Sequence, residues 1–450
     1  MFEQDCLMKK KADIILRQYL THEGEILRYQ LLEMPFPLPL KQLQGKTDLA
    51  ILEDLKSLYL KNLLPAKPEY TGVVLFCCDH RIPDPFPERD GDIVIKDQAS
   101  RVRWWIDKYY RNGHPEDQIE LRQYLESLEK AQLLVSGGDR ESHPLYLPVY
   151  PGMTKLSSFY HDNTVTLNSH FFLMEISDLL SPFDRVGEPF GMLSVDGEII
   201  HPPLYSRETL ISYESGDNGI LKLSIEDMTI IIDGMEYRDK ENCRIFRRPE
   251  YGVSPMQDGL DLIIVGNNIL AYSTGGGCPV PEAGFILHLE NPDPPSDLGV
   301  SYFYRKDLNF SIQVGPSMVE GGEVCEGFST DYYQGTGIPF PPTVYPLDWS
   351  HGRAARTGLG FKNKKLVLIG IEGSKKAVYK AGYDSTGCSL EEMAHICKES
   401  GIDNMINLDG GGSSQISVMG IRSLKISDRS LETGEDFERP VPLGLELKIR

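Results

Sequence analysis

The run Asn407-Leu408-Asp409-Gly410-Gly411-Gly412-Ser413-Ser414 places an amide, a carboxylate, three side-chain-free positions and two hydroxyls in direct succession. Met405-Ile406 before it has strand character, and along a strand alternate side chains share a face, so Asn407 and Asp409 are expected to project together. Consecutive glycines let a ligand approach main-chain N–H groups, which suits an oxyanion such as phosphate. An Asp-Gly pair alone marks a tight hairpin turn, but a hairpin needs neither three glycines nor an inward amide. A nucleotide P-loop is excluded, because Ser413 stands where that motif requires lysine. Gly275-Gly276-Gly277 also lacks the lysine and reads as a plain loop.

A second group lies upstream. His351-Gly352-Arg353-Ala354-Ala355-Arg356-Thr357 gathers two guanidinium groups and an imidazole in an otherwise acidic chain. Arginine's planar fork matches phosphate oxygens two at a time. Glu372 and Asp403 are further titratable candidates near the same elements.

These residues need elements to hold them. The pattern predicts a strand over Leu366–Ile371, a helix over Ser389–Ser400 opened by a Ser389/Glu392 capping box, and a strand over Met405–Leu408. From about residue 145 the chain breaks into short β-type segments separated by turns such as Asp196-Gly197, Asp233-Gly234 and Asp258-Gly259. Before that point the spacing predicts helices over Lys9–Leu32, Lys46–Leu63 and Pro115–Leu134, the last closed by Gly137-Gly138, with a short strand at Val73–Phe76. Trp104-Trp105 with Tyr109-Tyr110 reads as helix core. The expected architecture is α+β: a mixed β-sheet catalytic domain with flanking helices over 146–450, behind a mostly helical region over 1–145.

Composition narrows the function classes. The chain has 450 residues, 40% hydrophobic and 25% charged, which is ordinary for a globular protein and long enough for two domains. A formal net charge of -20 argues against nucleic acid as a partner, and obliges an anionic substrate to meet a local basic patch. No uncharged apolar run is long enough to span a bilayer, and the acids and lysines at the start do not form a secretory signal, so a cytoplasmic address is expected. Cys6, Cys77, Cys78, Cys243, Cys278, Cys325, Cys388 and Cys397 form no CxxC pair and read as free, mostly buried thiols. No cluster has metal-ligand spacing and no cofactor is expected, although oxygen-ligated calcium leaves little trace in a sequence.

Taken together, Arg356-Thr357, the strand ending in Glu372-Gly373, the segment Gly387-Cys388-Ser389-Leu390-Glu391-Glu392-Met393-Ala394 and the run Asn407 to Ser414 resemble the phosphodiester glycosidase family. Weaker pieces occur at Asn168-Ser169-His170-Phe171-Phe172, Gly191 to Gly197, Val314 to Gly321 and Arg439 to Gly444, so the resemblance spans about residues 145–450. The chain departs from the family pattern at Ser169, Ala355 and Glu372, where glycine, proline and aspartate are usual.

The resemblance implies hydrolysis of the bond between a sugar's C1 and a phosphodiester oxygen, releasing free sugar and a phosphomonoester. Such a leaving group, with a second pKa of about 6, departs without a strong general acid. On this reading Asp409, Asn407, Arg356 and Glu372 carry the chemistry, with Asp409 as nucleophile or as base toward water. Gly410, Gly411, Gly412, Ser413, Ser414, Thr357, Arg353, His351 and Asn168 bind substrate, a small or polymeric sugar phosphate. The alternative is a non-catalytic protein that binds a sugar phosphate or phosphoglycan.

Overall fold

Leu27, Tyr29 and Leu31 point to one side of the strand Ile26–Met34, and Gln30, Leu32 and Met34 to the other, all buried. Both faces of this strand are therefore covered. It pairs antiparallel with Asp13–Leu20, from Asp13 opposite Glu33 to Leu20 opposite Ile26, so the helix expected over Lys9–Leu32 is instead a β-hairpin. Leu, Arg, Gln and Glu favour helix intrinsically, but pairing along a sheet and burial on both faces outweigh propensities of tenths of a kcal/mol per residue.

The computed structural model describes residues 25–45, 150, 152–174, 181, 183–248, 250–278, 280–290, 293–326, 352–374, 379–429 and 434–449, with the backbone of the strands Asp13–Leu20, Val73–Cys77, Ile93–Ile95 and Leu145–Val149. The helices expected over Lys46–Leu63 and Pro115–Leu134, the Gly137-Gly138 stop and the Trp104 to Tyr110 cluster lie outside these residues. The strand expected at Val73–Phe76 is present as Val73–Cys77.

Among the described residues the architecture is mostly β, which corrects the α+β expectation with its helical N-terminal region. Five antiparallel sheets and one two-stranded parallel pair account for the strands. The only α-helix among the described residues, Leu390–Glu399, has Ser389 as N-cap with the complete Ser389/Glu392 capping box. The reason the sequence reads as richer in helix is local. Apolar spacing in short, doubly covered strands fits a helical period as well as an extended one.

Two sheets position the site. One has seven strands in the order Asp13–Leu20, Ile26–Met34, Lys365–Ile371, Arg356–Lys362, Asn404–Asn407, Ser317–Glu320 and Glu323–Val324. The other has five, in the order Ile421–Arg422, Ile416–Val418, Thr164–Asn168, Gly444–Lys448 and Leu40–Leu43. The chain leaves the first sheet at Asn407, passes through Asp409 and the glycines, and enters the second at Ile416.

Leu27, Tyr29, Leu31, Val367 and Ile369 pack against Leu390, Met393, Ala394 and Cys397 of the helix. A larger apolar cluster joins the opposite face of the first sheet to the second, bringing Leu32, Leu359 and Leu368 against Val165, Leu167, Ile416 and Leu445. The crossover at 408–415 thus runs between two packed layers, each element fixed by burial of order 25 cal/mol per Å² of apolar surface.

Candidate active site

Register sets the site first. Gly358 lies opposite Asn407 in the first sheet, and Asn168 lies opposite Gly444 in the second. Across the seam between them, the Asp409 N–H donates to the Ser169 carbonyl at 2.9 Å. The Asp409 carbonyl accepts from Asn168 Nδ2 at 2.7 Å and from Thr357 Oγ1 at 2.8 Å. Asn168 Oδ1 accepts from Gln415 N at 3.0 Å and Thr357 Oγ1 at 3.3 Å. Asn168 and Thr357, expected to meet substrate, therefore hold the main chain on either side of Asp409.

The Asp409 carboxyl is buried. Its Oδ1 accepts from Gly410 N at 2.9 Å, while Oδ2 has no hydrogen-bond partner among the described residues. Burial raises its pKa to about 6. The Ser413 hydroxyl, the Arg439 charge and the Gly410 N–H pull the other way without cancelling that effect. Ser413 is near enough to exert this pull, yet its hydroxyl lies outside hydrogen-bond geometry. Desolvation of this kind is what tunes a carboxyl toward proton transfer near neutral pH.

The glycines have distinct duties. Gly411 has φ +58, a left-handed conformation that side chains other than Asn and Asp seldom adopt. A Cβ on Gly412 would lie 2.0 Å from Asp428 Oδ2 and 2.5 Å from Arg439 Nη2, so only glycine admits the Asp428–Arg439 pair here. That pair is itself close, with Arg439 Nη2 at 2.8 Å and Nε at 2.9 Å from Asp428 Oδ2. The amides of Gly410 and Gly411 already donate, to Asp409 Oδ1 and to the Ala355 carbonyl at 2.8 Å respectively. They form no open anion cradle of the kind three glycines suggest.

Asn407 Nδ2 donates to the Gly315 carbonyl at 3.1 Å, while its Oδ1 finds no partner. The same holds for Ser413 Oγ, Ser414 Oγ and Gln415 Oε1, all buried and unpaired among the described residues. Buried polar atoms normally find partners, and so many unpaired ones within nine residues mark a place built to receive polar groups.

Arg356 is buried beneath this run, its Nη2 donating to the Gly352 carbonyl at 2.8 Å and its Nε to the Cys388 carbonyl at 3.3 Å. A Cβ on Gly410 would sit 3.9 Å from Arg356 Nη1, so the guanidinium borders the glycine turn. Arg353 turns elsewhere. Its Nη1 meets both Glu392 carboxylate oxygens, at 2.6 and 2.7 Å, and its Nη2 donates to the Gly387 carbonyl. Glu372 pairs with Arg28 at 3.3 Å, and the Asp403 carboxylate accepts from Asn363 N at 2.6 Å, capping a hairpin turn. His351 lies outside the described residues.

Two site neighbours lie in segments that the sequence marks only as weaker family-like pieces, which assign them no role. Arg439 acts electrostatically on Asp409 from a segment thirty residues further along, and Asp428 orients it. His170 is the other: its Nδ1 faces Ser169 Oγ at 2.9 Å and its Nε2 faces the Met192 carbonyl at 3.1 Å. Burial lowers its pKa to about 4, so near neutral pH it is an uncharged bridge between strands. Cys388 and Cys397 are free and buried, their thiols pushed up by burial, Cys388 to about 12. No group of three His, Cys, Asp or Glu side chains among the described residues is placed to hold a metal ion.

An antiparallel β scaffold thus presents a buried, raised-pKa carboxyl beside arginines and a glycine turn, a combination that marks a functional site. Residues 281–448 match the phosphodiester glycosidase family. No curated protein matches the chain in sequence. Among solved structures it is similar to a hypothetical protein from Synechocystis, at 13% identity and a TM-score of 0.39, over 97% of this chain and 62% of that one. It is also similar to the catalytic domain of zebrafish N-acetylglucosamine-1-phosphodiester alpha-N-acetylglucosaminidase, auto-inhibited by its pro-peptide, at 12% identity and a TM-score of 0.34, over 98% and 83% of the two chains. The chain spans less than two thirds of the length of the Synechocystis protein. No helix among the described residues is long and apolar enough to cross a membrane.

Proposed function

We propose that the chain hydrolyses sugar 1-phosphodiesters at the C1–O bond, giving a free sugar and a phosphomonoester. One observation supports this above the others: the buried Asp409 carboxyl has one oxygen fixed by Gly410 N and the other unpaired, and its pKa is about 6. Near neutral pH it is largely ionised. It can then take a proton from water as the water oxygen bonds to C1, or attack C1 itself, while the C1–O electron pair leaves with the phosphate.

The leaving group gains negative charge as the bond breaks. On this reading Arg356, Arg439 and the Ser413 and Ser414 hydroxyls meet it, inside a low-dielectric setting where fixed donors act strongly. Asn407 Oδ1 and Gln415 Oε1 offer acceptors to sugar hydroxyls. Asn168, Thr357 and Arg353 are positioning residues on this reading, since their contacts run to the Asp409 carbonyl and to Glu392.

Hydrolysis of a methyl phosphodiester of N-acetylglucosamine 1-phosphate in ¹⁸O-water tests the bond assignment. The label belongs in the sugar if C1–O breaks. Label in the phosphate would mean P–O cleavage and a phosphodiesterase instead.

A further inference from the structure

Away from Asp409, the sheet of Arg244–Phe246, Gly284–Leu289, Leu260–Val265, Asn268–Thr274 and Ile93–Ile95 carries a cleft of about 810 Å³. Its volume falls in the range of small-ligand sites. None of its lining residues belongs to the Asp409 site. On its wall lies His288, 4% exposed, with Nδ1 2.7 Å from Asp261 Oδ1. Asp261 Oδ2 in turn accepts from the Ser254 hydroxyl, which itself accepts from Cys278 N at 2.9 Å. This chain of contacts fixes the orientation of the imidazole, with Nδ1 held against the carboxylate. The hydrogen bond of the ring to a described residue is the one at Nδ1.

The remaining lining decides what could use it. Glu226, Asp239, Glu241, Glu250 and Glu290 outnumber Lys240 and Arg244, which disfavours an anion. Arg247 Nε lies 2.6 Å from Glu226 and its Nη2 3.8 Å from Glu250, and Lys240 lies 3.7 Å from Asp239, so the acids are partly matched and those in excess offer oxygens that accept hydrogen bonds. No three ligating side chains converge to hold a metal ion among the described residues. Glu226 Oε2 is buried and unpaired, and Arg247 lies behind the lining rather than in it. Tyr251 and Tyr237 supply partly exposed rings, Tyr251 edge-on to Phe246 at 5.0 Å.

Carboxylate acceptors beside aromatic rings fit a neutral, hydroxyl-rich ligand, whose O–H groups donate to them. We propose that this cleft is a second binding site, for an uncharged saccharide, with Glu226 accepting from sugar hydroxyls, His288 Nε2 hydrogen-bonding to another and Tyr251 packing on the ring. It goes beyond the hydrolytic reading and stands without it.

The test is calorimetric titration of the full chain with N,N′-diacetylchitobiose, which carries no phosphate. Saturable binding is expected in the wild type and unchanged in Asp409→Asn. It should be weakened roughly tenfold in Tyr251→Ala, in line with the loss of one aromatic contact. Glu226→Gln, which keeps the shape, should weaken it as well. Absence of saturable binding overturns the proposal. So does binding that is lost in Asp409→Asn but untouched in Tyr251→Ala and Glu226→Gln, since the sugar would then occupy the Asp409 site.

Discussion

Asn168 reaches across 241 residues of sequence to donate its Nδ2 hydrogen to the main-chain carbonyl of Asp409, at 2.7 Å. With Thr357 Oγ1 on the same carbonyl, two sheets grip the residue whose carboxyl carries the proposed chemistry.

Removing that grip should cost both stability and activity. Asn168→Ala leaves the Asp409 carbonyl one donor short and strands Gln415 N, buried groups whose loss of partners is worth about 3 kcal/mol together. Urea denaturation should show that loss. Turnover should fall with little change in KM, because substrate still meets Arg356 and the serines.

Asp409 should appear in the pH profile. Its folded pKa of about 6 lies above the ordinary carboxylate value, so kcat/KM should rise as pH increases through about 6 and then level off. A fall through the same range would make Asp409 the general acid.

The same shift sets a stability effect of opposite sense to that of a salt-bridged carboxylate. Below about 4 the group is protonated in both folded and unfolded chains and costs nothing. As pH rises through 6 the folded state must ionise it against burial, a penalty approaching about 3 kcal/mol. Asp409→Asn should therefore be more stable than wild type at pH 7 to 8, with the gap closing as pH falls toward 4. Thermal melts of the two proteins across that range check it.

Arg356 and Arg353 should separate cleanly. Arg356→Lys keeps the charge but not the planar fork, and kcat should drop by about tenfold or more with the fold retained. Arg353→Ala breaks a half-exposed contact with Glu392 and should leave kcat unchanged while lowering stability by about 1 kcal/mol or less.

Gly412→Ala should be among the most damaging single-methyl changes. The added Cβ would meet Asp428 Oδ2 at 2.0 Å and displace the Asp428–Arg439 pair from beside Asp409. Loss of activity together with a lowered melting temperature is expected.

Several of these relationships were legible in the sequence, and the reasons are local. The helix start at Ser389 announces itself through Glu392, and the Asp196-Gly197 and Asp233-Gly234 turns have the positive φ angles that such pairs favour. The strand ending at Asn407 and the one ending at Ile371 sit within a residue of expectation. What failed depended on distant partners. Nothing near Ile26–Met34 reveals that Lys365–Ile371 will pair with it, and leucine spacing alone then reads as helix. Asp428 pairs with Arg439 only through the fold, and so does Glu372 with Arg28 and Arg353 with Glu392, partners that no local pattern reveals. Nor does the run of three glycines reveal that the Gly410 and Gly411 amides bond within the chain, or that Gly412 packs against the Asp428–Arg439 pair.

The central claim is that Asp409 drives cleavage of a sugar–phosphate C1–O bond. Its most direct test is release of free N-acetylglucosamine from a methyl phosphodiester of alpha-linked N-acetylglucosamine 1-phosphate, measured for wild type and Asp409→Asn side by side. The account predicts release by the wild type and its loss in the variant, with the variant folded and at least as stable at pH 7. Equal release by both would contradict the role of Asp409. No release by either, with the substrate still stabilising the protein against heat, would make the chain a binder of sugar phosphates.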